Sequence, residues 1–376
     1  MSQHPHGLAL RLRSMVVAVS ALLSAPAPAL ADPVPTAAFQ AILDRYLERE
    51  DLAGGVLLVS SPQQRIVVAS GVANRRTGAA VTPDSRFYAA SVGKMSVATA
   101  ALQLVEDGKL SLDASVASLA GGIPNIGKLA NARAARVENL LNHSSGIPEY
   151  LTEDFLDFHH AKASTLTPAV AMPFAFDEPA TGRVGKAYEY CNSNYVLLGE
   201  IIGTADGTSF EASLQRRVLD RAGMGDTTVG ARNFTDARLA HGYADIEDSG
   251  KEQDVSRYVW SSPLGDGPLV TTAADLEKFL FALFRDGKLL KPATLARMTE
   301  ASALEDGYGM GVQRDSDRWG PWFGHTGLED GFEAEVRYYP ESQTAFVFLT
   351  NGNSTSDTSI LDKAAATLFQ SRKSSR

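Results

Sequence analysis

The sequence is poor in cysteine, and its basic residues are fewer than its acidic ones. Its 376 residues include a single cysteine, Cys191, which excludes an intramolecular disulfide and a cysteine-based zinc cluster. The 35 lysines and arginines are outnumbered by 44 aspartates and glutamates, which gives a formal charge of −9. Proteins that bind nucleic acid normally present a basic face, so this balance argues against a nucleic-acid partner.

Several common catalytic and binding motifs are also missing. The chain has no Gly-x-Ser-x-Gly elbow, no His-Glu-x-x-His zinc pair and no Gly-Lys followed by serine or threonine. These motifs mark α/β-hydrolases, zinc peptidases and phosphate-binding loops, respectively, so each class loses its best sequence marker. No internal repeat is evident, and no segment beyond the N-terminal region has an apolar run long enough to cross a membrane.

The N-terminal residues 1–31 have the pattern of a secretory signal peptide. Arg11 and Arg13 precede the apolar run 15–23, which is too short to span a bilayer. The small residues Ala29 and Ala31 then suit a signal peptidase. No cysteine follows the run, which excludes a lipoprotein anchor. We therefore expect an exported protein, periplasmic or secreted, with no membrane anchor after the signal is removed.

The remaining chain shows strand patterns at both ends and helical patterns between them. Short β-branched runs at 54–60 and 65–69 are separated by a turn and predict a hairpin. The segments 332–339 and 344–350 predict two further strands. Apolar residues recur at helical spacing in five segments and in a closing helix, at 92–107, 194–203, 209–221, 273–286, 292–299 and 357–372. The economical arrangement is an antiparallel sheet built from both chain ends, with a helical insertion.

A serine and a lysine three residues apart are the first candidate catalytic pair. Ser91 stands where a helix is predicted to begin, and Lys94 falls on the same helical face, so the hydroxyl and the amine can meet. A serine attacks a carbonyl only with a nearby base, and a lysine serves as that base only while it is uncharged. Taken alone, the tetrapeptide also fits a helix cap followed by a surface lysine, and that interpretation is the more common one.

Two later motifs give the pair a context. Tyr190-Cys-Asn192 precedes an apolar helix, and His325-Thr326-Gly327 lies close to a predicted strand. With Ser-x-x-Lys, these motifs resemble, in the same order, those of the serine β-lactamase and penicillin-binding protein superfamily. The resemblance is to the branch with class C β-lactamases, DD-carboxypeptidases and esterases. It extends through blocks at 104–112, 137–148 and 267–276, and so covers roughly residues 40 to 370.

The resemblance implies a fold and a domain organisation. It implies an α+β fold, an α/β sandwich whose antiparallel sheet comes from N- and C-terminal strands flanked by helices. Residues 32–376 would form a single hydrolase domain, with the α/β part at about 32–110 and 265–376 and a mostly helical part at about 111–264. No cofactor and no metal are implied. The expected partner is a small peptide, ester or β-lactam substrate, and the oligomeric state stays open.

The resemblance also implies roles for individual residues. Ser91 would be the nucleophile, Lys94 its activating partner, and Tyr190 a second group that shares protons with Lys94. Which of the two is the acylation base stays open, because the pair can titrate as one unit. Asn192 would hold a substrate carbonyl or the lysine, and the backbone N–H groups of Ser91 and Leu328 would hold the oxyanion.

The third motif is expected to shape the substrate side of the site. His325 takes the place of a lysine found in many relatives, and it would orient Tyr190 or, when protonated, attract a carboxylate. Thr326 and Gly327 continue the same strand, and the glycine is expected to let a substrate lie against it. Relatives that cleave D-alanyl-D-alanine often have a hydroxyl residue after the motif, whereas this chain has Leu328.

The substrate follows only in part from these residues. Leu328 cannot donate to a carboxylate, and the acids Glu329 and Asp330 would repel one if they face the cleft. The sequence therefore predicts an exported serine hydrolase in which DD-carboxypeptidase-like peptidase and esterase activities are almost equally favoured. A β-lactamase is a weaker alternative, and a catalytically silent penicillin-binding or scaffolding relative is another. His143 beside two serines is interpreted as structural, and Cys191 as a small buried residue.

Overall fold

The structure is a computed structural model that describes residues 33–162, 166–230, 236–247, 249–256, 264–355 and 358–374. The predicted signal peptide lies outside these residues. The strands, in chain order, are β1 Gly54–Ser60, β2 Arg65–Asn74, β3 Ala79–Ala80, β4 Phe87–Tyr88, β5 Thr228–Val229, β6 Tyr243–Ala244, β7 Gln253–Asp254, β8 Leu269–Thr271, β9 Gln313–Asp317, β10 Gly320–Glu329, β11 Phe332–Tyr339 and β12 Thr344–Thr350.

The helices complete the list of elements. They are α1 Thr36–Arg49, α2 Lys94–Glu106, α3 Val116–Leu119, α4 Val137–Leu141, α5 Glu153–Lys162, α6 Pro168–Ala171, α7 Asn192–Asp206, α8 Phe210–Leu214, α9 Asp220–Ala222, α10 Ala273–Leu280, α11 Pro292–Thr299 and α12 Ile360–Ser374. Single π-helical turns continue α8 into α9 and extend α10, at Gln215–Leu219 and Phe281–Arg285.

The main sheet is assembled from the two ends of the chain, as the sequence predicted. Its seven strands lie in the order β3-β2-β1-β12-β11-β10-β9, and every neighbouring pair is antiparallel. Strand β1, an interior strand of this sheet, pairs Val56 with Leu349 of β12 on one side and with Ala69 of β2 on the other. The fold is thus the expected α+β arrangement of an antiparallel sheet with flanking helices.

The alternation of side chains along β1 divides the core into two layers. Leu57 and Val59 belong to the apolar layer formed with α1 and α12, whereas Val56 and Leu58 belong to the layer that includes α2 and α10. Successive residues of a strand point to opposite faces, so a sheet covered on both faces has fully buried central strands. All seven residues of β1 are buried accordingly.

The predicted elements differ from the observed ones mainly at their ends. The predicted helix 92–107 is observed as α2, and it is preceded by a separate 3₁₀ turn at Ala90–Gly93. The predicted helix 194–203 is longer, as α7. Helix α1 was not predicted, although Phe39, Leu43 and Leu47 place apolar side chains at helical spacing on its buried face. Residues 356 and 357, at the start of the predicted closing helix, lie outside the described part of the chain.

No described helix combines the length and the apolar character that crossing a membrane requires. Among the same residues, no three histidine, cysteine or acidic side chains gather in a group that could hold a metal ion.

Candidate active site

A strained turn presents Ser91 at the start of helix α2. Ala90, the residue before it, has a φ of 44°, in the left-handed region that a side chain disfavours. The 3₁₀ turn Ala90–Gly93 then leads directly into α2, whose first residue is Lys94. Gly93 is needed here because a Cβ on it would lie 2.6 Å from Cδ of Pro268. The turn is therefore held tightly against the segment before β8.

Lys94 is fully buried and joins three parts of the chain. Its Nζ lies 2.8 Å from Ser91 Oγ, 2.8 Å from Asn192 Oδ1 and 2.7 Å from the backbone oxygen of Asp266. The same nitrogen lies 5.0 Å from the ring centroid of Tyr190. The serine and the lysine of the first motif therefore meet, as their spacing predicted.

The second motif is placed by the start of helix α7. Cys191 is extended and precedes the helix, so Tyr190 stays outside it and Asn192 is its first residue. Glu149 Oε2 accepts hydrogen bonds from both the backbone N–H and Nδ2 of Asn192, at 2.7 and 3.1 Å. This contact orients the amide so that its oxygen faces Lys94. Tyr190 is 37% exposed and lies at the rim of the site.

The third motif lies on the part of β10 that β9 does not cover. Pairing between the two strands ends at Gly324 with Gln313, so His325 and the residues after it pair only with β11. Gln313 instead uses its side chain: its Oε1 accepts from the Thr326 N–H at 3.0 Å, and its Nε2 donates to Thr326 Oγ1 at 3.1 Å. Leu328 lies two residues on, so its backbone N–H points to the same open side.

These groups surround one pocket of about 340 Å³. The pocket is lined by residues of all three motifs together with residues from the segments around them: Ala90, Ser91, Leu151, Tyr190, Asn192, Asp266, Gly267, Gln313, His325, Thr326, Leu328 and Glu329. Larger pockets occur elsewhere on the surface, but this is the one that contains the serine, the tyrosine and the histidine.

Comparison with known proteins identifies the family of this chain. Residues 39–369 match the Beta-lactamase family. The chain belongs to the beta-lactamase family. Penicillin-binding protein 4 of Amycolatopsis lactamdurans is 28% identical over an alignment of 338 residues that covers 85% of this chain and 86% of that protein. The match extends over nearly all of the described chain, in keeping with the order of the three motifs.

Two solved structures in the superfamily are similar over almost their full length. The penicillin-binding protein of Bacillus halodurans is 27% identical with a TM-score of 0.71, covering 86% of this chain and 97% of that one. The D-amino acid amidase of Ochrobactrum anthropi SV3, solved with L-phenylalanine amide, is 26% identical with a TM-score of 0.75, covering 90% and 99%. The members of this superfamily are serine hydrolases. The chain therefore belongs to a superfamily of serine hydrolases.

His325 is neutral, which corrects one sequence expectation. It is 1% exposed, and burial together with the nearby Lys94 lowers the pKa of its imidazole to about 3. Its Nε2 lies 3.0 Å from the hydroxyl of Tyr308, and its Nδ1 lies 2.5 Å from the Thr326 carbonyl oxygen. The expectation that a protonated His325 attracts a carboxylate is therefore wrong near neutral pH.

Gly327 is required where β10 packs against the turn that carries Ser91. A Cβ at this position would lie 2.4 Å from the backbone oxygen of Ala89 and 3.2 Å from the Ser91 nitrogen. The glycine thus lets β10 approach the turn that carries the nucleophile, and its expected role in letting a substrate lie against the strand stays a prediction. Because that close approach sets the distance between Ser91 and Leu328, it also positions the two proposed oxyanion donors.

The remaining sequence interpretations concern residues near the second motif. Cys191 is buried, as expected, and burial raises the pKa of its thiol to about 12, so it is not a nucleophile. His143 Nδ1 accepts from the Cys191 N–H at 3.1 Å and lies 3.1 Å from Asn194 Nδ2. The Ser145 hydroxyl donates to Asn194 Oδ1 at 2.6 Å. Ser145 and His143 therefore have other partners and do not form a serine–histidine pair.

Sequence reasoning missed four residues of the site. Asp266 and Glu149 stand directly beside the linking blocks at 267–276 and 137–148 that carry part of the resemblance. Tyr308 and Gln313 belong to no block. The only sequence signal for Asp266 and Glu149 was the position of an acid next to each block. Tyr308 and Gln313 gave no signal, because their contacts with His325 and Thr326 arise from folding.

Proposed function

We propose that this protein is an exported serine acyl-hydrolase that cleaves short D-amino-acid amides, peptides or carboxylic esters through an acyl-enzyme on Ser91. The observation that carries the proposal is the 2.8 Å separation of Lys94 Nζ from Ser91 Oγ inside a pocket shared with Tyr190 and His325. In this proposal residues 32–376 act as one domain, because the three motifs come from its beginning, middle and end.

The first step is activation of the serine by Lys94. An uncharged amine has two N–H groups and one lone pair. Asn192 Oδ1 and the Asp266 carbonyl oxygen are placed to accept the two N–H groups, which leaves the lone pair for the proton of Ser91. As Oγ bonds to the substrate carbonyl carbon, its proton passes to the lysine and tyrosine pair, and the carbonyl electrons move onto oxygen.

The resulting oxyanion needs fixed donors. The backbone N–H groups of Ser91 and Leu328 are the candidates, because β10 lies against the turn at Gly327 and directs the Leu328 N–H to the open side of the strand. Backbone donors of this kind contribute about 3 to 4 kcal/mol each to transition-state stabilisation in other acyl-transfer enzymes.

Tyr190 is proposed to pass the proton to the leaving group. Collapse of the intermediate breaks the bond from carbon to nitrogen or oxygen, and the leaving atom takes up the proton. A water molecule then gives a proton to the same pair and attacks the acyl carbon. The serine recovers its proton as the acid product leaves. In this scheme His325 is uncharged and takes part only through its hydrogen bonds with Tyr308 and Thr326.

The substrate class follows from what the pocket contains. The described lining has no lysine or arginine, and His325 is neutral, so a C-terminal carboxylate of a D-alanyl-D-alanine peptide finds no cation there apart from Lys94 beneath the serine. Amides and esters carry no such carboxylate and therefore need no cation at this place. The structural similarity to a D-amino acid amidase supports a preference for amides, and in particular for those of D-amino acids.

The test combines labelling with turnover. Intact-mass spectrometry after a fluorophosphonate should show one adduct that is lost in Ser91→Ala. Parallel assays should then show hydrolysis of D-phenylalaninamide and of p-nitrophenyl acetate, with less D-alanine released from a D-alanyl-D-alanine tripeptide. An adduct that persists in Ser91→Ala, or release of D-alanine as the fastest reaction, would contradict the proposal.

Penicillin binding is a second candidate function. Similarity to a relative named as a penicillin-binding protein supports it. A silent relative would take up one equivalent of fluorescent penicillin on Ser91 without hydrolysing it or any amide or ester. A β-lactamase would instead release the hydrolysed drug, so one labelling experiment followed over time separates these two outcomes.

A further inference from the structure

The catalytic pocket contains two acids that the proposed acyl transfer does not use. Asp266 and Glu329 both line it, although they come from the segment before β8 and from the end of β10. Asp266 is 5% exposed, whereas Glu329 is half-buried at the pocket surface. Two acids from separate parts of the chain therefore meet where the substrate is expected to lie.

The Asp266 carboxyl is only half satisfied by the protein. Its Oδ2 accepts a hydrogen bond of 2.7 Å from the buried hydroxyl of Tyr150. Within the described part of the chain, its Oδ1 has no hydrogen-bond partner. Buried polar atoms of folded proteins are nearly always paired, so this unpaired oxygen can still accept a hydrogen bond from a donor that reaches it.

The charges around the pocket favour a cation. Among the described residues that line it, Asp266 and Glu329 are acidic and none is a lysine or an arginine. Burial raises the pKa of the Asp266 carboxyl, and burial with the nearby Asp330 and Asp266 raises that of Glu329. The nearby Lys94 lowers the pKa of both carboxyls in part, and a bound cation would favour their charged forms further.

We infer that Asp266 and Glu329 bind the protonated amine of the substrate, so that the enzyme acts on amino-acid amides, amino-acid esters or peptide N-termini with a free α-amine. The exposed Leu328, at 65%, and the ring of Tyr190 offer apolar contact for the side chain of the same substrate. This inference rests on the proposed function, since it names the substrate that the Ser91 site would take.

The first test compares three substrates of the wild-type enzyme. D-phenylalaninamide carries the amine, N-acetyl-D-phenylalaninamide has it neutralised, and 3-phenylpropanamide lacks it. A charge-assisted contact predicts a kcat/KM at least about 10-fold higher for the first than for the other two. Equal values for the three amides would overturn the inference.

Variants then assign the preference to particular carboxyls. Asp266→Asn and Glu329→Gln should each reduce the preference for the free amine about 10-fold, mainly through KM. Asp330→Asn is the matched control, because this neighbouring acid does not line the pocket, and it should keep the preference. Retention of the full preference in both Asp266→Asn and Glu329→Gln overturns the assignment.

Labelling separates this inference from the proposed function. An uncharged fluorophosphonate does not need the amine site, so the wild-type protein and the Asp330→Asn control should be labelled on Ser91 at similar rates. Absence of labelling in the wild type contradicts the proposed function itself. If Asp266→Asn alone fails to fold and label, the substrate comparison and Glu329→Gln decide the inference.

Discussion

The ring of Tyr190 is stacked on the imidazole of His143, with centroids 4.3 Å apart and planes inclined by 29°. Burial keeps the imidazole uncharged by lowering its pKa well below the ordinary value, with Lys94 and His325 adding to the effect. Its Nδ1 also holds the backbone of Cys191, the residue after the tyrosine. His143 thus supports Tyr190 from beneath and fixes the chain that carries it.

We expect His143→Phe to weaken both the fold and the reaction. The phenyl ring keeps a stacking surface but removes the acceptor for the Cys191 N–H, and an unpaired buried donor costs about 1 to 3 kcal/mol. Chemical denaturation should show that loss, and kcat should fall because Tyr190 is less well fixed. His241→Gln, near the surface beside Asp254, is the control and should change stability by less than 1 kcal/mol. An unchanged unfolding free energy in His143→Phe would refute this role.

Lys94→Met should remove activity while keeping the apolar stem of the side chain. Loss of a positioned proton acceptor lowers turnover by about 100- to 10,000-fold. Hydrolysis of p-nitrophenyl acetate under saturating conditions measures this loss. Lys109→Met is a suitable control, because the exposed Lys109 pairs with Asp206 and does not line the pocket, so this variant should keep its turnover. Activity within threefold of wild type in Lys94→Met would exclude the lysine as the base.

Gly327→Ala tests the contact between β10 and the nucleophile turn. The added methyl would lie 2.4 Å from the Ala89 oxygen, so the strand or the turn has to move. We expect a loss of about 1 to 3 kcal/mol in the free energy of unfolding and a slower labelling of Ser91. At Gly225 an added Cβ meets nothing within 4 Å, so Gly225→Ala should change neither quantity. Labelling of Gly327→Ala at the wild-type rate would contradict the prediction.

The neutral state of His325 predicts how stability depends on pH. The folded imidazole has a pKa of about 3, well below the unfolded value of about 6.5, so the unfolded chain binds more protons in between. This contribution is full above about pH 6.5 and falls by about 1.4 kcal/mol per pH unit below it. Between pH 7 and 5, wild-type protein should therefore lose about 2 kcal/mol more stability than His325→Gln. Equal losses in urea denaturation at the two pH values would show that the histidine is not buried as a neutral group.

Much of the fold was predictable because local patterns carried it. The strands at 54–60, 332–339 and 344–350 were predicted with the bounds that the structure shows. Their β-branched and alternating residues leave few other choices. Helix α1 was missed because it begins directly after the region interpreted as a signal peptide. Charged residues also separate its apolar ones, so no continuous apolar run marks it. The boundary between Ser91 and α2 was missed because a 3₁₀ turn and an α-helix share the same apolar spacing.

The candidate site divides in the same way. The sequence by itself determined the order and spacing of the motifs, and therefore the approach of Lys94 to Ser91, because a separation of three residues is a property of one helical turn. Only the tertiary structure decided that His325 is buried in a neutral state and that the buried carboxyl of Asp266 has one unpaired oxygen. Burial and hydrogen-bond partners depend on which distant segments pack together, and the pocket joins residues as distant in sequence as Ser91 and His325, which are 234 residues apart.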